Sequence, residues 1–236
     1  MDLFTLHMAS ALTNVTCCVV LSIAGILRNE QRYFRLWASA FLVFAIGLVL
    51  QIGGERHPAL GALTYGCLVA GVLLLLSGFR VFDGNRAFNS LMYGSLPIPS
   101  VTYLVAEAIA PGTDWPQTLT FLVSCVISAQ APIYVLRVNP DRLLFRWVAG
   151  ATMAFQSIAT ISVVMWAPGY MDLAHIGVAI SLSDQVCSTV VIASVLGMVM
   201  ERSNRHLDAL VHQDALTGCL NRAGLLAYKK AAKGPA

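Results

Sequence analysis

Asp184 stands well inside a long run, Leu173 to Met200, that is otherwise interrupted only by His175 near its start. An ionisable side chain at such a place costs about 2.5 to 3.5 kcal/mol to insert into a bilayer, so it is a candidate site by position alone. Gly177, Ser181, Asp184 and Ser188 recur at helical spacing and form a small, polar stripe that must meet protein or water. Such a stripe serves as the wall of a ligand cavity, or as a hydrogen-bonded carboxyl joining helices at a small-residue contact. Gln130 and Gln156 lie deep in two other apolar runs and are partners for Asp184 in either case. Glu107, one turn from Tyr103 and just before Pro111, is a shallower candidate for the same ligand site, or an ordinary interfacial carboxylate. His7, His57 and His175 fall at the ends of apolar runs, near Glu55, Asp172, Met8 and Met171. Histidine and methionine together suit copper or a haem iron. No pair has the i, i+4 spacing of a helical ligand motif, so three separate interfacial histidines compete with a metal site. The sequence assigns no catalytic residue and requires no cofactor.

The elements that must position these residues are transmembrane helices. Of 236 residues, 57% are hydrophobic and 11% charged, against about 25% charged in a soluble domain. Seven apolar stretches run between His7 and Arg28, from Leu36 to Gly54, Pro58 to Phe79, Ala87 to Ala106, Trp115 to Leu136, Trp147 to Met171 and Leu173 to Met200. A hydrocarbon core needs about 20 helical residues, so each is long enough to span. The expected fold is an all-α integral membrane protein of seven transmembrane helices. Eight of the nine arginines before residue 200 lie in alternate connections, and the other connections hold only Arg56. The positive-inside rule then gives an outer N-terminus, a cytoplasmic C-terminus, and histidines 7, 57 and 175 on the outer rim. Trp37, Trp115, Trp147 and Trp166 are expected at span ends, and Pro97, Pro99 and Pro132 as kinks inside spans four and five. No signal peptide is expected.

After Met200 the chain turns polar, yet Leu196, Met200, Ser203, Leu207 and Leu210 keep a 4-3-4-3 spacing. That is the seam of a short coiled coil running out of span seven, and it predicts a parallel homodimer. Beyond it, Asp214-Ala215-Leu216-Thr217-Gly218-Cys219-Leu220-Asn221-Arg222 resembles the D-x-L-T-G-L-x-N-R signature that opens the GGDEF domain of bacterial diguanylate cyclases. Asp214, Leu216, Thr217, Gly218, Asn221 and Arg222 match six of its seven fixed positions, and Cys219 replaces the leucine. The resemblance implies a sensor domain over 1–200, a helical signalling connector over 201–213 and the first part of a GGDEF domain over 214–236. It also implies residence in the bacterial inner membrane and control of cyclic di-GMP synthesis through dimer geometry. In the family, the metal-binding aspartate and the glycine-rich acidic loop lie downstream of this signature. The chain is therefore expected to be the sensor and connector of a larger enzyme, cut just inside the cyclase domain and inactive by itself. Asp214, Asn221 and Arg222 would frame the domain's start.

Several classes are excluded or demoted. Five of the six cysteines lie inside apolar runs, which disfavours a disulfide scaffold. The first lysine is Lys229, so no span offers a Schiff base to retinal. One deep carboxylate is few for ion-coupled transport, which leaves a small-solute transporter as the competing reading. The expected partners are the bilayer, a second copy of the chain and a small-molecule ligand from the outer side or the membrane; no nucleic acid is expected.

Overall fold

The computed structural model describes residues 3–28, 32–54, 57–166 and 173–212, with 219, 221, 222 and 225. Within these, the side chains of 3, 53, 54, 163–166, 173–177, 209 and 212 fall outside the description. Among the described residues every element is helical: α1 (Leu3–Leu27), α2 (Arg32–Gly54), α3 (Pro58–Phe82), α4 (Ser90–Ser95), α5 (Ile98–Ile109), α6 (Trp115–Ser128), α7 (Gln130–Arg137), α8 (Leu144–Trp166) and α9 (Leu173–His212).

Five stretches among the described residues are long and apolar enough to cross a membrane: Phe4–Leu27, Arg32–Ile52, Pro58–Phe82, Trp115–Arg137 and Val178–Asp208. The run from Ala87 to Ala106, expected as a single span, is instead broken into α4 and α5. Pro97 and Pro99 explain the break, because neither can donate to the carbonyl a turn earlier. Asn89 caps α4, its side chain accepting from the Met92 N–H at 2.9 Å. The fifth run also divides. Pro132 offers no N–H to Ser128, and the chain passes from α6 to α7 through Ala129. At 23 residues, α8 is about 34 Å long, but it carries Arg146, Gln156, Ser157 and Thr160 along its length.

Helices α1, α2 and α3 pack in sequence order, and α3 also meets α5, α6 and α7. α7 and α6 lead on to α8, α8 packs on α9, and α9 returns to α1. The result is a closed ring, with α5 packed against both α3 and α6 and α4 against α5. Large apolar side chains face outward all round it, among them Leu12, Ile23, Ile46, Leu63, Val126 and Phe155. Four buried hydroxyls are satisfied within their own helices: Thr64, Ser77, Ser124 and Ser194 each donate to the carbonyl four residues earlier. This is the inexpensive way to place a hydroxyl where water is scarce. Several membrane-length helices with apolar outer faces make this a multi-pass membrane protein in its architecture.

The two ends of the ring differ. At one end lies the dense core, built on Leu21, Phe34, Trp37, Phe41, Phe79, Val195 and Met198. Trp37 is fully buried there, with Tyr33, Phe79 and Phe82 rings 5.0 to 5.9 Å away. It is a core anchor, contrary to the expectation of an interfacial indole; Trp115 and Trp147 are exposed, and the side chain of Trp166 lies outside the described residues. Helices approach closely on small residues. A methyl group on Gly61 would meet the Tyr103 hydroxyl at 2.6 Å, and one on Gly197 would meet the Phe145 ring at 2.6 Å.

Candidate functional site

Adjoining the dense core, and sharing Phe41 with it, the ring forms a half-open cavity of about 270 Å³. Its wall draws on α1, α2, α3, α6, α7, α8 and α9, the helices that form the ring. Ser181, Asp184 and Ser188 of α9 all line it, as does Gln156 of α8. The stripe and one of its two proposed glutamine partners therefore share one space. Gly177 lies outside the described side chains. The Gln156 amide donates to Thr160 at 3.4 Å, and its carbonyl oxygen is buried without a partner. Asp184 is half-buried in the wall. The neighbouring Gln185 turns toward α1 instead, donating to Ser10 Oγ at 2.9 Å and closing the ring.

Other expected site residues are elsewhere. Gln130, at the start of α7, is half-buried and does not line the cavity, although the adjacent Ala131 and Pro132 do. Tyr103 stands behind the wall, its ring 5.5 Å from Tyr65, which does line it. Glu107 is drawn into a turn, accepting from the Gly112 N–H at 3.5 Å. His7 is buried and lines the cavity. His57 is exposed and caps α3, its Nδ1 accepting from the Ala59 N–H at 3.2 Å. The side chains of His175, Met171, Asp172 and Glu55 lie outside the described residues. Among the described residues no three histidine, cysteine or acidic side chains converge as a metal site.

Sequence reasoning overlooked much of the wall. Gln51, Tyr65, Ser124 and Ser128 face the cavity with Phe41, Phe44 and Phe121. These residues carry no positional signal, because polar and aromatic side chains are ordinary within membrane helices.

The end holding the dense core also carries most of the arginines. Arg146 is 1% exposed and grips Asp83, itself 1% exposed by side chain, in a two-pronged pair at 2.6 and 2.8 Å. Its Nε donates to the Val135 carbonyl at 3.1 Å, and its guanidinium lies 5.8 Å from the Phe79 and Tyr134 ring centres. The Tyr134 hydroxyl donates to Asp83 at 2.8 Å and accepts from Asn85 at 3.1 Å. One buried network thus ties the end of α3 to α7 and the start of α8. A second, wetter one holds α9 as it leaves the ring. Arg202 binds Asp141 and donates to the Phe82 carbonyl at 2.7 Å, with its guanidinium 3.6 Å from the Phe82 ring centre. Arg205 donates to Glu201 at 2.7 Å and to the Asp141 and Arg142 carbonyls, while Glu201 accepts the Leu144 N–H at 2.9 Å.

Along the seam, Leu196 is half-buried against the chain's own core, and Ser203 is half-buried. Met200, Leu207 and Leu210 are 58%, 55% and 62% exposed, so these three are left uncovered by the chain itself. Asp214, Leu216, Thr217 and Gly218 lie outside the described residues. Asn221 donates to the Val211 carbonyl at 2.7 Å, and Arg222 is exposed. Comparison with protein-family models, with curated proteins and with solved structures finds no match to this chain.

Proposed function

We propose that this chain is a sensory module of the bacterial inner membrane which controls a cytoplasmic diguanylate cyclase through the geometry of a parallel dimer. Its seven spans are α1, α2, α3, the α4–α5 pair, the α6–α7 pair, α8 and α9, with the arginine-rich end in the cytoplasm and the cavity toward the outside. The observation that carries this reading is the continuity of α9. It is a single helix of 40 residues, with Ser181, Asp184 and Ser188 on the cavity wall near one end and Leu207 and Leu210 near the other. From Ser181 to Leu210 the helical rise amounts to about 44 Å, more than the hydrocarbon thickness of a bilayer. A change at the wall that rotates or tilts this rod reaches the connector directly, shifting the balance between two dimer arrangements. The nine-residue resemblance following the rod supplies the output.

The test is cyclic di-GMP synthesis in membranes carrying the gene product with its natural downstream reading frame. Asp184→Leu is expected to shift output several-fold at unchanged protein level, with Asp184→Asn closer to wild type. Normal regulation in both variants, or no cyclic di-GMP synthesis at all, would refute the reading. A small-solute transporter draws on one observation, the helix break at Ala129 beside the cavity wall. Uptake by proteoliposomes would favour it.

The dimer has its own consequence. In a Cys219→Ser background, single cysteines at Leu207 or Leu210 should cross-link between subunits much faster than one at Asp208, and should be shielded from an impermeant thiol reagent in intact cells. Equal cross-linking at all three positions would remove the seam, and labelling from outside would reverse the orientation.

A further inference from the structure

We infer that the cavity is a receptor site for a small organic amine in its protonated form, with Asp184 as counter-ion and the aromatic rings of the wall as its cage. The inference deepens the sensory reading and rests on it only in taking the cavity as the ligand site. Its first ground is charge. Among the described residues, Asp184 is the only acidic side chain lining the cavity, no lysine or arginine lines it, and His7 is the only basic residue there. Asp184 is half-buried, and among the described residues no hydrogen bond is made to its carboxylate, whereas the fully buried Asp83 carboxylate has a full set of partners. A carboxylate partly removed from water without a partner is disfavoured, and a cation brought by a ligand relieves that cost.

The second ground is the unused acceptor on the next helix. The Gln156 carbonyl oxygen is buried and unpartnered. Such an atom loses hydration without compensation, and a ligand N–H is the group that restores it. Asp184 and Gln156 line the same space, and a rotation of the Gln156 amide would bring its unused acceptor to an ammonium held at Asp184.

The third ground is the rest of the wall. Phe41, Phe44, Tyr65 and Phe121 border the cavity, with the Phe41 and Phe44 rings edge to face at 6.3 Å between centres. Ring faces attract an ammonium, and aliphatic neighbours such as Leu48 and Leu68 receive an apolar body. A bare metal ion fits poorly, since calcium takes at least about six oxygen ligands. An organic anion would meet Asp184. The volume of about 270 Å³ falls near the lower limit for ligand pockets, which suits a molecule the size of an aryl- or cycloalkyl-alkylamine.

The test uses the full chain in phosphatidylcholine nanodiscs, whose neutral lipid avoids collecting amines at the surface. Phenethylamine and cyclohexylmethylamine are compared with 2-phenylethanol and phenylacetate by the shift in thermal midpoint and by saturation-transfer NMR. Both amines should raise the midpoint in a concentration-dependent way, and the alcohol and the acid should bind at least about tenfold more weakly. Asp184→Asn should abolish the preference for amine over alcohol, and Phe121→Leu should weaken amine binding by about threefold. If Asp184→Asn fails to fold, the comparison of amine with alcohol on the wild-type chain decides alone. Failure of both amines to bind at millimolar concentration, or equal binding of the alcohol, would overturn the inference. Binding is read directly, so its failure is separate from any failure of cyclase control.

Discussion

Replacing Asp83 by alanine should destabilise the protein by about 3 to 5 kcal/mol, the usual cost of stranding one partner of a buried ion pair. Arg146 would keep the Val135 carbonyl and two aromatic rings, but its charge would remain 1% exposed with no carboxylate beside it. Tyr134 would lose its acceptor at the same time. Asp83→Asn should cost less, because the side-chain oxygen can still receive one donor. The double variant Asp83→Leu with Arg146→Met should recover much of the loss, since replacing both charges removes the desolvation cost along with the attraction. Arg202→Met offers the contrast. The Arg202 and Asp141 side chains are 38% and 39% exposed, so their ion pair should contribute about 1 kcal/mol or less and weaken as salt is added. Thermal unfolding of the four variants in detergent, at low and high ionic strength, checks the whole set. Equal losses for the Asp83→Ala and Arg202→Met variants would show that burial is not what gives the first pair its strength.

The same network marks the limit of what the sequence displayed. Asp83 and Arg146 flank apolar runs, and at that level they read as ordinary loop charges, with Arg146 one of the arginines that set orientation. Nothing in their spacing, 63 residues apart, predicts that α3 and α8 end against each other and exclude water. Trp37 failed for a related reason. Its distance from the end of a run predicts an interface, but burial depends on which neighbouring helix comes close, and that is decided by Gly78 on α3. Asp184 was legible because a charge deep in a long apolar run has few acceptable surroundings, and Ser181 and Ser188 followed by helical periodicity. Gln156 was legible by depth alone, while Gln130, chosen on the same ground, lies just past a helix break that turns it out of the wall. The break was itself half-visible. Pro97, Pro99 and Pro132 announced lost hydrogen bonds, but not whether the helix would bend through them or stop.

Gly78→Ala should destabilise the ring, and Gly78→Val should do so more strongly, although alanine is the better helix former by about 1 kcal/mol. A methyl group built at Gly78 lies 2.9 Å from Trp37 Cε2 and closer still to its Nε1. The indole has nowhere to retreat, because Phe79 and Phe82 stand 5.5 and 5.9 Å away and the whole side chain is fully buried. Overpacking of this kind costs about 1 to 3 kcal/mol, enough to outweigh the gain in helix propensity. Gly94 is the control. Nothing lies within 4 Å of a methyl group placed there, so Gly94→Ala should be neutral or slightly stabilising. Trp37→Phe should relieve Gly78→Ala, because a smaller ring vacates the space that the methyl group enters, and the double variant should unfold at a higher temperature than Gly78→Ala alone. A positive coupling between positions 37 and 78, absent between 37 and 94, is the expected pattern. If Gly78→Ala matched wild type, the close approach of α2 and α3 would be compliant, and the dense end of the ring would not be rigid.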